Sequence, residues 1–103
     1  MSIRDEDLEK EIVDKGLTAP RVTLEGIKKK IITVDIVTHV TRSGSKLRWA
    51  VLEMSNGFTI TGKPSASVSP ENDDIEIGEK IAVDNAMNEV WAFEGYLLKE
   101  ELQ

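Results

Sequence analysis

The spacing of apolar and polar residues predicts helices near the start of the chain. Residues 5–15 carry apolar side chains at helical spacing in an acidic background, and Gly16 is a typical helix stop. A second short helix is predicted from Thr23 to Lys30, because a threonine hydroxyl can accept a hydrogen bond from the backbone of the first turn. The first third of the chain is therefore expected to form two short helices.

Alternation of side chains predicts strands in the middle of the chain. Residues 33–41 alternate between two faces, as the side chains of a strand do. Residues 47–54 and 58–62 predict two more strands, joined at Asn56-Gly57, a dipeptide typical of tight β-hairpins. Together these segments predict a three-stranded antiparallel sheet.

The last third of the chain predicts helices again. Residues 63–68 are expected to form a loop, because Pro64 cannot donate a backbone hydrogen bond within a central strand. Ser69 as N-cap and Pro70 at the first helical position predict the start of one helix, and residues 91–102 predict another. The expected fold is α+β, with a three-stranded antiparallel β-sheet preceded by short helices and covered by two C-terminal helices.

Composition limits both the domain organisation and the chemistry. A chain of 103 residues suits one small α+β domain, expected over residues 21–103, after an acidic N-terminal helix in residues 1–20 that we expect to be mobile. The chain has no cysteine and a single histidine, which excludes disulfides, cysteine-ligated zinc and a thiol nucleophile. No apolar run is long enough to span a membrane and no signal peptide is recognisable, so a cytoplasmic location is expected.

Charge is distributed unevenly along the chain. The net charge is −6, whereas a nucleic-acid coat is normally basic, so stable nucleic-acid binding is not expected. Between Arg21 and Lys63, however, eight basic residues face only three acidic ones, and the two ends together carry −11. This segregation is compatible with a positive site for a compact anion or with an ordinary solvated strand surface.

Four polar residues are candidates for binding such an anion. Arg42, Arg48 and Lys63 lie in the positive middle region, and guanidinium and ammonium groups pair with phosphate. Asn85 falls on the apolar face of a predicted helix, where a buried amide must find a partner. That partner could be a ligand, a neighbouring subunit or the backbone of the same chain.

The sequence offers no convincing catalytic set. Asp73 and Asp74, with Glu71 and Glu76, could hold a hard cation or act as an acid and a base, but charge compensation at a helix N-terminus also accounts for them. His39 has no evident carboxylate to orient it as a base. We therefore expect a protein that is not an enzyme, with no catalytic residues, no metal site and no cofactor.

Several short motifs in a fixed order carry a family resemblance. They are Asn56-Gly57-Phe58-Thr59-Ile60-Thr61-Gly62, Ser69-Pro70-Glu71-Asn72, Ile77-Gly78, Ile81-Ala82, Asn85-Ala86, Trp91 and Glu94-Gly95-Tyr96-Leu97-Leu98. From about Val22 to Leu102 the chain resembles an uncharacterised family of small tailed-phage proteins, the gene-product-49-like proteins. It also resembles the Thoeris anti-defence sponges, phage proteins that bind signal nucleotides of bacterial immune systems.

The resemblance implies a function and a form of assembly. It implies a phage protein of the host cell cytoplasm that sequesters a cyclic oligonucleotide or a cyclic ADP-ribose isomer without cleaving it. Dimers or hexamers with ligand pockets between subunits are implied, and Ser67 and Asn72, which lie in the matched loop region, join the ligand candidates. Asp73 stands where the family often has an aromatic residue, and Ser67 stands where it often has a cysteine.

A second functional class stays open at this point. The acidic ends of the chain, which carry −11 together, also suit a phage accessory protein that acts by protein–protein contact on a host enzyme. Either function would proceed without a membrane.

Overall fold

The computed structural model describes residues 3–17 and 19–103. Its helices are α1 (Ile3–Asp14), α2 (Leu24–Lys30) and α3 (Ile75–Glu101), its strands are β1 (Ile31–Val40), β2 (Lys46–Met54), β3 (Thr59–Thr61) and β4 (Ser65–Ala66), and a 3-10 turn spans Pro70–Asn72. This arrangement confirms the predicted α+β class and the antiparallel sheet. Among the described residues, no helix is long and apolar enough to cross a membrane.

The local signals for α2 and the hairpin are confirmed. The side chain of Thr23 caps α2 by accepting a hydrogen bond from the backbone N–H of Gly26 at 3.0 Å. The turn at Asn56-Gly57 joins β2 to β3, and Met54 N–H donates to the carbonyl oxygen of Phe58 across it.

The sheet is built around β2. Strand β1 pairs with one edge of β2 along almost its whole length, and β3 and β4 share the other edge. The predicted loop over residues 63–68 is therefore wrong in part, because β4 lies within it. Pro64 interrupts the hydrogen-bonded ladder after β3, but the chain continues along the same edge of β2 and pairs again at Ser65.

One face of the sheet packs against α3 and forms the core. The buried apolar residues are Leu24, Ile27, Ala50, Leu52, Met54, Ile60, Ala82, Ala86, Met87 and Val90. The small side chains of Ala82 and Ala86 bring the helix close to the sheet. At Gly62 a Cβ atom would lie 2.3 Å from the backbone nitrogen of Ala86, so the chain after β3 has no room for a side chain there.

The C-terminal region is one helix of 27 residues, where two helices were predicted. The predicted break before residue 91 is absent, because Met87 and Val90 are buried in the core and continue the apolar face that Ala82 and Ala86 begin. The predicted start is also wrong. Ser69 and Pro70 begin the 3-10 turn, and Asp74 caps α3 by accepting a hydrogen bond from Ile77 N–H at 3.0 Å.

The helix is longer than the strand that it covers. At 1.5 Å per residue α3 is about 40 Å long, whereas the nine residues of β2 span about 30 Å. Both ends of α3 therefore extend past the core, and large apolar side chains at both ends are exposed. These are Ile75, Ile77 and Ile81 at its start and Phe93, Tyr96, Leu97 and Leu102 at its end.

Helix α1 makes few contacts with the other elements in the described part of the chain. Arg21 donates a hydrogen bond to a carboxylate oxygen of Glu9 at 2.8 Å, which joins α1 to the segment before α2. A cavity of about 660 Å³ lies between α1 and α3, with Leu8, Ile12 and Trp91 in its lining. The division into an acidic N-terminal helix and a domain over residues 21–103 stays a prediction.

Candidate functional site

A buried arginine lies between the sheet and the first turn of α3. Arg48 on β2 is 4% exposed, and its guanidinium makes two hydrogen bonds to the carboxylate of Asp73. Nη1 donates to Oδ1 at 2.7 Å, and Nη2 donates to Oδ2 at 2.9 Å. This bidentate geometry is the strongest way in which an arginine binds a two-oxygen anion.

The neighbouring backbone provides the space for the guanidinium. Arg48 points to the α3 face of the sheet because it alternates with Trp49 and shares its face with Ala50. A Cβ at Gly78 would lie 2.9 Å from Nη1 of Arg48, so a larger residue there would force the guanidinium to shift from its position against Asp73. The hydroxyl of Ser65 on β4 donates to the carbonyl oxygen of Gly78 at 2.8 Å and fixes the helix at this point.

The 3-10 turn positions Asp73 next to the guanidinium of Arg48. Within the turn Asn72 N–H donates to the carbonyl oxygen of Ser69 at 3.1 Å, and Asp73 N–H donates to that of Pro70 at 3.2 Å. Asp73 then ends the turn immediately before Asp74, the N-cap of α3. The ion pair therefore joins the centre of the sheet to the loop that leads into the helix.

Hydrogen bonding is the main reason why the pKa of the Asp73 carboxylate is lowered. The hydrogen bonds from Arg48 hold the pKa of Asp73 below its usual value of 3.8, and partial burial opposes them. The positive charges of Arg48 and Lys46 and a hydrogen bond with Ser67 act in the same direction as the Arg48 hydrogen bonds. Asp73 is consequently ionised at neutral pH.

The guanidinium also lies near other acidic groups. Its hydrogen bond to Asp73 raises the pKa of Arg48, and the charges of Asp73, Glu79 and Asp74 contribute in the same direction. The buried guanidinium is thus already compensated by carboxylates. An external anion at this position has to exchange with Asp73.

A small cleft opens beside the ion pair. It has a volume of about 90 Å³, and Ser67, Asn72 and Ile77 are among its lining residues together with Arg48 and Asp73. Pockets that enclose a whole small-molecule ligand measure about 300 Å³ or more. Within one chain, the cleft therefore has room for one phosphate-sized group and not for a nucleotide.

The six predicted ligand residues do not form one site. Arg48, Ser67 and Asn72 line the cleft, whereas Arg42 is exposed in the turn between β1 and β2. The remaining two, Lys63 and Asn85, contact each other. The side-chain amide of Asn85 donates to the backbone carbonyl of Lys63 at 2.9 Å, which gives Asn85 a partner in its own chain.

Sequence reasoning missed the pairing of Arg48 with Asp73. The two residues are 25 positions apart, and only the tertiary fold brings them together. One signal was present in the sequence. Arg48, Ala50 and Leu52 are alternate residues of the predicted strand and lie on the same face, so an inward-facing arginine could have been predicted.

The acidic residues at the start of α3 have structural partners. Asp74 caps the helix, which fits the role expected of an acidic residue at a helix N-terminus. Asp73 has a different role, because it pairs with Arg48 of the sheet. In the part of the chain that the structure describes, no group of three or more histidine, cysteine, aspartate or glutamate residues is arranged to hold a metal ion.

The fold and the cleft define a small α+β protein in which one long helix covers an antiparallel sheet and encloses a buried arginine–carboxylate pair. Residues 22–102 match the Phage protein (N4 Gp49/phage Sf6 gene 66) family. The chain belongs to this family of phage proteins. No curated protein and no solved structure matches the chain. The resemblance to the Thoeris anti-defence sponges stays a prediction.

Proposed function

We propose that this phage protein binds a bacterial immune signal nucleotide, a cyclic oligonucleotide or a cyclic ADP-ribose isomer, and sequesters it without cleaving it. The observation that supports the proposal best is the bidentate hold of Arg48 on two carboxylate oxygens, at 2.7 and 2.9 Å. A phosphate group presents two oxygens in the same way. In the proposed complex a ligand phosphate takes the place of the Asp73 carboxylate.

The surroundings of Arg48 suit this exchange. Asp73 follows a short 3-10 turn whose residues 70–72 are exposed, so in the proposed complex its carboxylate turns towards solvent while the paired strands of the sheet keep their positions. Ser67 and Asn72 line the same cleft and offer hydroxyl and amide donors to a phosphate. Because the cleft holds only one phosphate-sized group, the rest of the nucleotide lies outside it, against a neighbouring subunit of a dimer or hexamer.

Sequestration requires binding and no chemistry. It needs no nucleophile, general base, metal or cofactor, and the ligand is released intact when the protein is denatured. The protein works in the cytoplasm of the host cell, where the signal nucleotide is made, and it needs neither a membrane nor a nucleic acid as partner.

Calorimetric titration with cyclic oligonucleotides and cyclic ADP-ribose isomers tests the proposal. We expect at least one of them to bind, and chromatography after heat release to recover it unchanged. A bound ligand also raises the melting temperature, because it stabilises the folded state. If none of the nucleotides binds, or if the released ligand is degraded, the proposal is wrong.

A matched pair of variants tests the position of the site. Asn72→Asp adds a negative charge at the mouth of the cleft, where residue 72 is exposed, and we expect it to weaken nucleotide binding about tenfold. The control is Asn56→Asp in the hairpin turn, since its side-chain oxygen can still accept from Phe58 N–H. Equal effects of the two variants would contradict a site at Arg48.

An accessory protein that binds a host enzyme is the second candidate. Helix α1 favours it, because the twelve residues of α1 include six acidic and two basic ones. Affinity purification from host lysate distinguishes the two functions. One host protein retained in a stoichiometric amount, and lost when residues 1–20 are removed, would support this candidate.

A further inference from the structure

We propose that β1 pairs antiparallel with β1 of a second copy of the protein, with Val37 of each copy opposite Val37 of the other. The pairing would join the two sheets into one continuous sheet. It rests on the self-association included in the proposed function, and it does not depend on the ligand.

Strand β1 has the properties of an edge that needs a partner. It is ten residues long, and among the described residues only β2 pairs with it. Four of its apolar side chains are exposed: Ile32 by 60%, Val34 by 47%, Val37 by 37% and Val40 by 54%. A long edge of this kind leaves backbone N–H and C=O groups open for another strand.

The opposite edge of the sheet is different. There β3 and β4 have three and two residues, and Pro64 separates them. Short strands and proline are common ways to prevent pairing with another chain. Strand β1 contains neither proline nor lysine, and from Thr33 to Val40 its pairing with β2 is regular. The structure thus protects one edge and leaves the other available.

A twofold axis perpendicular to the sheet restricts the possible registers. Such an axis keeps α3 of both copies on the same face, so odd-numbered residues must face odd-numbered residues of the second copy. The residue through which the axis passes faces the same residue of the second copy. An axis at Asp35 would therefore place two aspartates opposite each other, which is unfavourable. An axis at Ile36 or at Thr38 would leave Asp35 opposite Val37 or Thr41, without a charged or titratable partner.

An axis at Val37 gives every side chain a compatible neighbour. Asp35 lies opposite His39 of the second copy, and the symmetry repeats this pair, so a carboxylate meets an imidazole twice. On the other face Val34 lies opposite Val40, which brings exposed valines together. This self-complementarity favours a second copy over a strand from an unrelated protein.

Cysteine cross-linking tests the register directly, because the protein has no cysteine of its own. Val37→Cys places two thiols opposite each other at the axis, and we expect mild oxidation to convert most of the protein to a covalent dimer. The control is Thr33→Cys, also exposed on β1, whose two thiols would be about 27 Å apart in this register at 3.4 Å per residue. Equal cross-linking of the two variants would overturn the register.

A mixture of two further variants provides a second test of the register. Val34→Cys and Val40→Cys should cross-link with each other in a mixed sample more than either does alone, since residue 34 of one copy faces residue 40 of the other. Preferential cross-linking of either variant with itself would overturn the proposal.

Sedimentation equilibrium tests the pairing without a covalent bond. We expect the wild-type protein to be at least dimeric at micromolar concentration. His39→Asp places two pairs of carboxylates opposite each other and should weaken association about tenfold, and adding Asp35→Lys should restore it. Thr59→Asp adds the same charge on β3, at the opposite edge, and should have no effect.

The outcomes separate this proposal from ligand binding. A strictly monomeric wild-type protein overturns the β1 pairing whatever the titrations with nucleotides show. A dimer that is unaffected by His39→Asp overturns it as well. A cross-linked dimer that binds no nucleotide supports the pairing and contradicts only the sequestration.

Discussion

The two ends of α3 are attached to the rest of the protein by different kinds of ion pair. At the N-terminal end the side chains of Arg48 and Asp73 are 5% and 14% exposed and form two hydrogen bonds. At the C-terminal end Lys30 Nζ lies 2.6 Å from a carboxylate oxygen of Glu94, but the lysine side chain is 45% exposed. Both partners of the first pair are enclosed by the fold. In the second, here called the surface pair, the glutamate side chain is 16% exposed and the lysine reaches solvent.

This difference in burial points to the Arg48–Asp73 pair as a feature that the stability of the fold does not by itself explain. Burying two charges removes their hydration, so a buried ion pair is weak evidence for stability and often contributes less than apolar packing of similar volume. An ion pair with a solvent-exposed partner contributes little to stability and is common at protein surfaces, so the surface pair gives no such indication. A buried arginine–carboxylate pair next to a cleft is therefore the better candidate for function.

Removing the buried carboxylate should have the largest effect. Asp73→Ala leaves the guanidinium of Arg48 buried without its partner, and we expect the melting temperature to fall by roughly 10 °C or more. The double variant Arg48→Met with Asp73→Ala should recover much of this loss, because it removes both charges. Thermal unfolding followed by circular dichroism measures both variants. A double variant no more stable than the single one would contradict the account.

The same pair should produce a stability change at acidic pH. Because the pKa of Asp73 is lower in the folded state than its usual value of 3.8, its contribution is fully present above that value and is lost as the pH falls through the lowered pKa. The stability difference between the wild-type protein and Asp73→Asn should therefore be constant from pH 7 to about pH 5 and decrease below about pH 4. Urea unfolding across this range measures it. A difference that does not change with pH would show that the ion pair does not form.

Glycine-to-alanine substitutions at the two ends of α3 should have opposite signs. Gly78→Ala places a Cβ 2.9 Å from the guanidinium of Arg48 and should destabilise the protein. Gly95→Ala meets no atom within 4 Å and should stabilise it by up to about 1 kcal/mol, the difference in helix propensity. Urea unfolding measures both changes. If the two substitutions change the free energy of unfolding by the same amount, the two ends of α3 do not differ in packing as described.

The surface pair should give the smallest effect. Lys30→Ala removes the contact with Glu94, and since the lysine is half exposed we expect a loss of about 0.5 kcal/mol or less. Added salt should weaken the wild-type pair and reduce the difference further. Urea unfolding of the two proteins at low and high salt tests this, and a loss above about 2 kcal/mol would place this pair in the same class as the buried one.

Local signals predicted more of the fold than of the site. The Thr23 cap and the Asn56-Gly57 turn depend on neighbouring residues, and each forms as its local sequence indicates. The continuity of α3 before residue 91 was missed, because the burial of Met87 and Val90 against the sheet depends on tertiary packing and not on a local signal.

The candidate site depends on contacts between distant parts of the chain. Asp73 reaches Arg48 only after β2, the 3-10 turn and α3 are all in place, and no spacing within the sequence encodes that contact. Asn85 illustrates the same limit. Its position on an apolar helical face indicated that it needed a partner, but only the fold shows that the partner is the carbonyl oxygen of Lys63.

The most direct test of the central claim is the nucleotide affinity of Asp73→Asn, measured by calorimetry beside that of the wild-type protein. If a ligand phosphate exchanges with the Asp73 carboxylate at Arg48, the neutral asparagine competes less well with the phosphate. We predict that the variant binds the same nucleotide about tenfold more tightly. An unchanged or weaker affinity in a folded variant, or no binding by either protein, would contradict the claim.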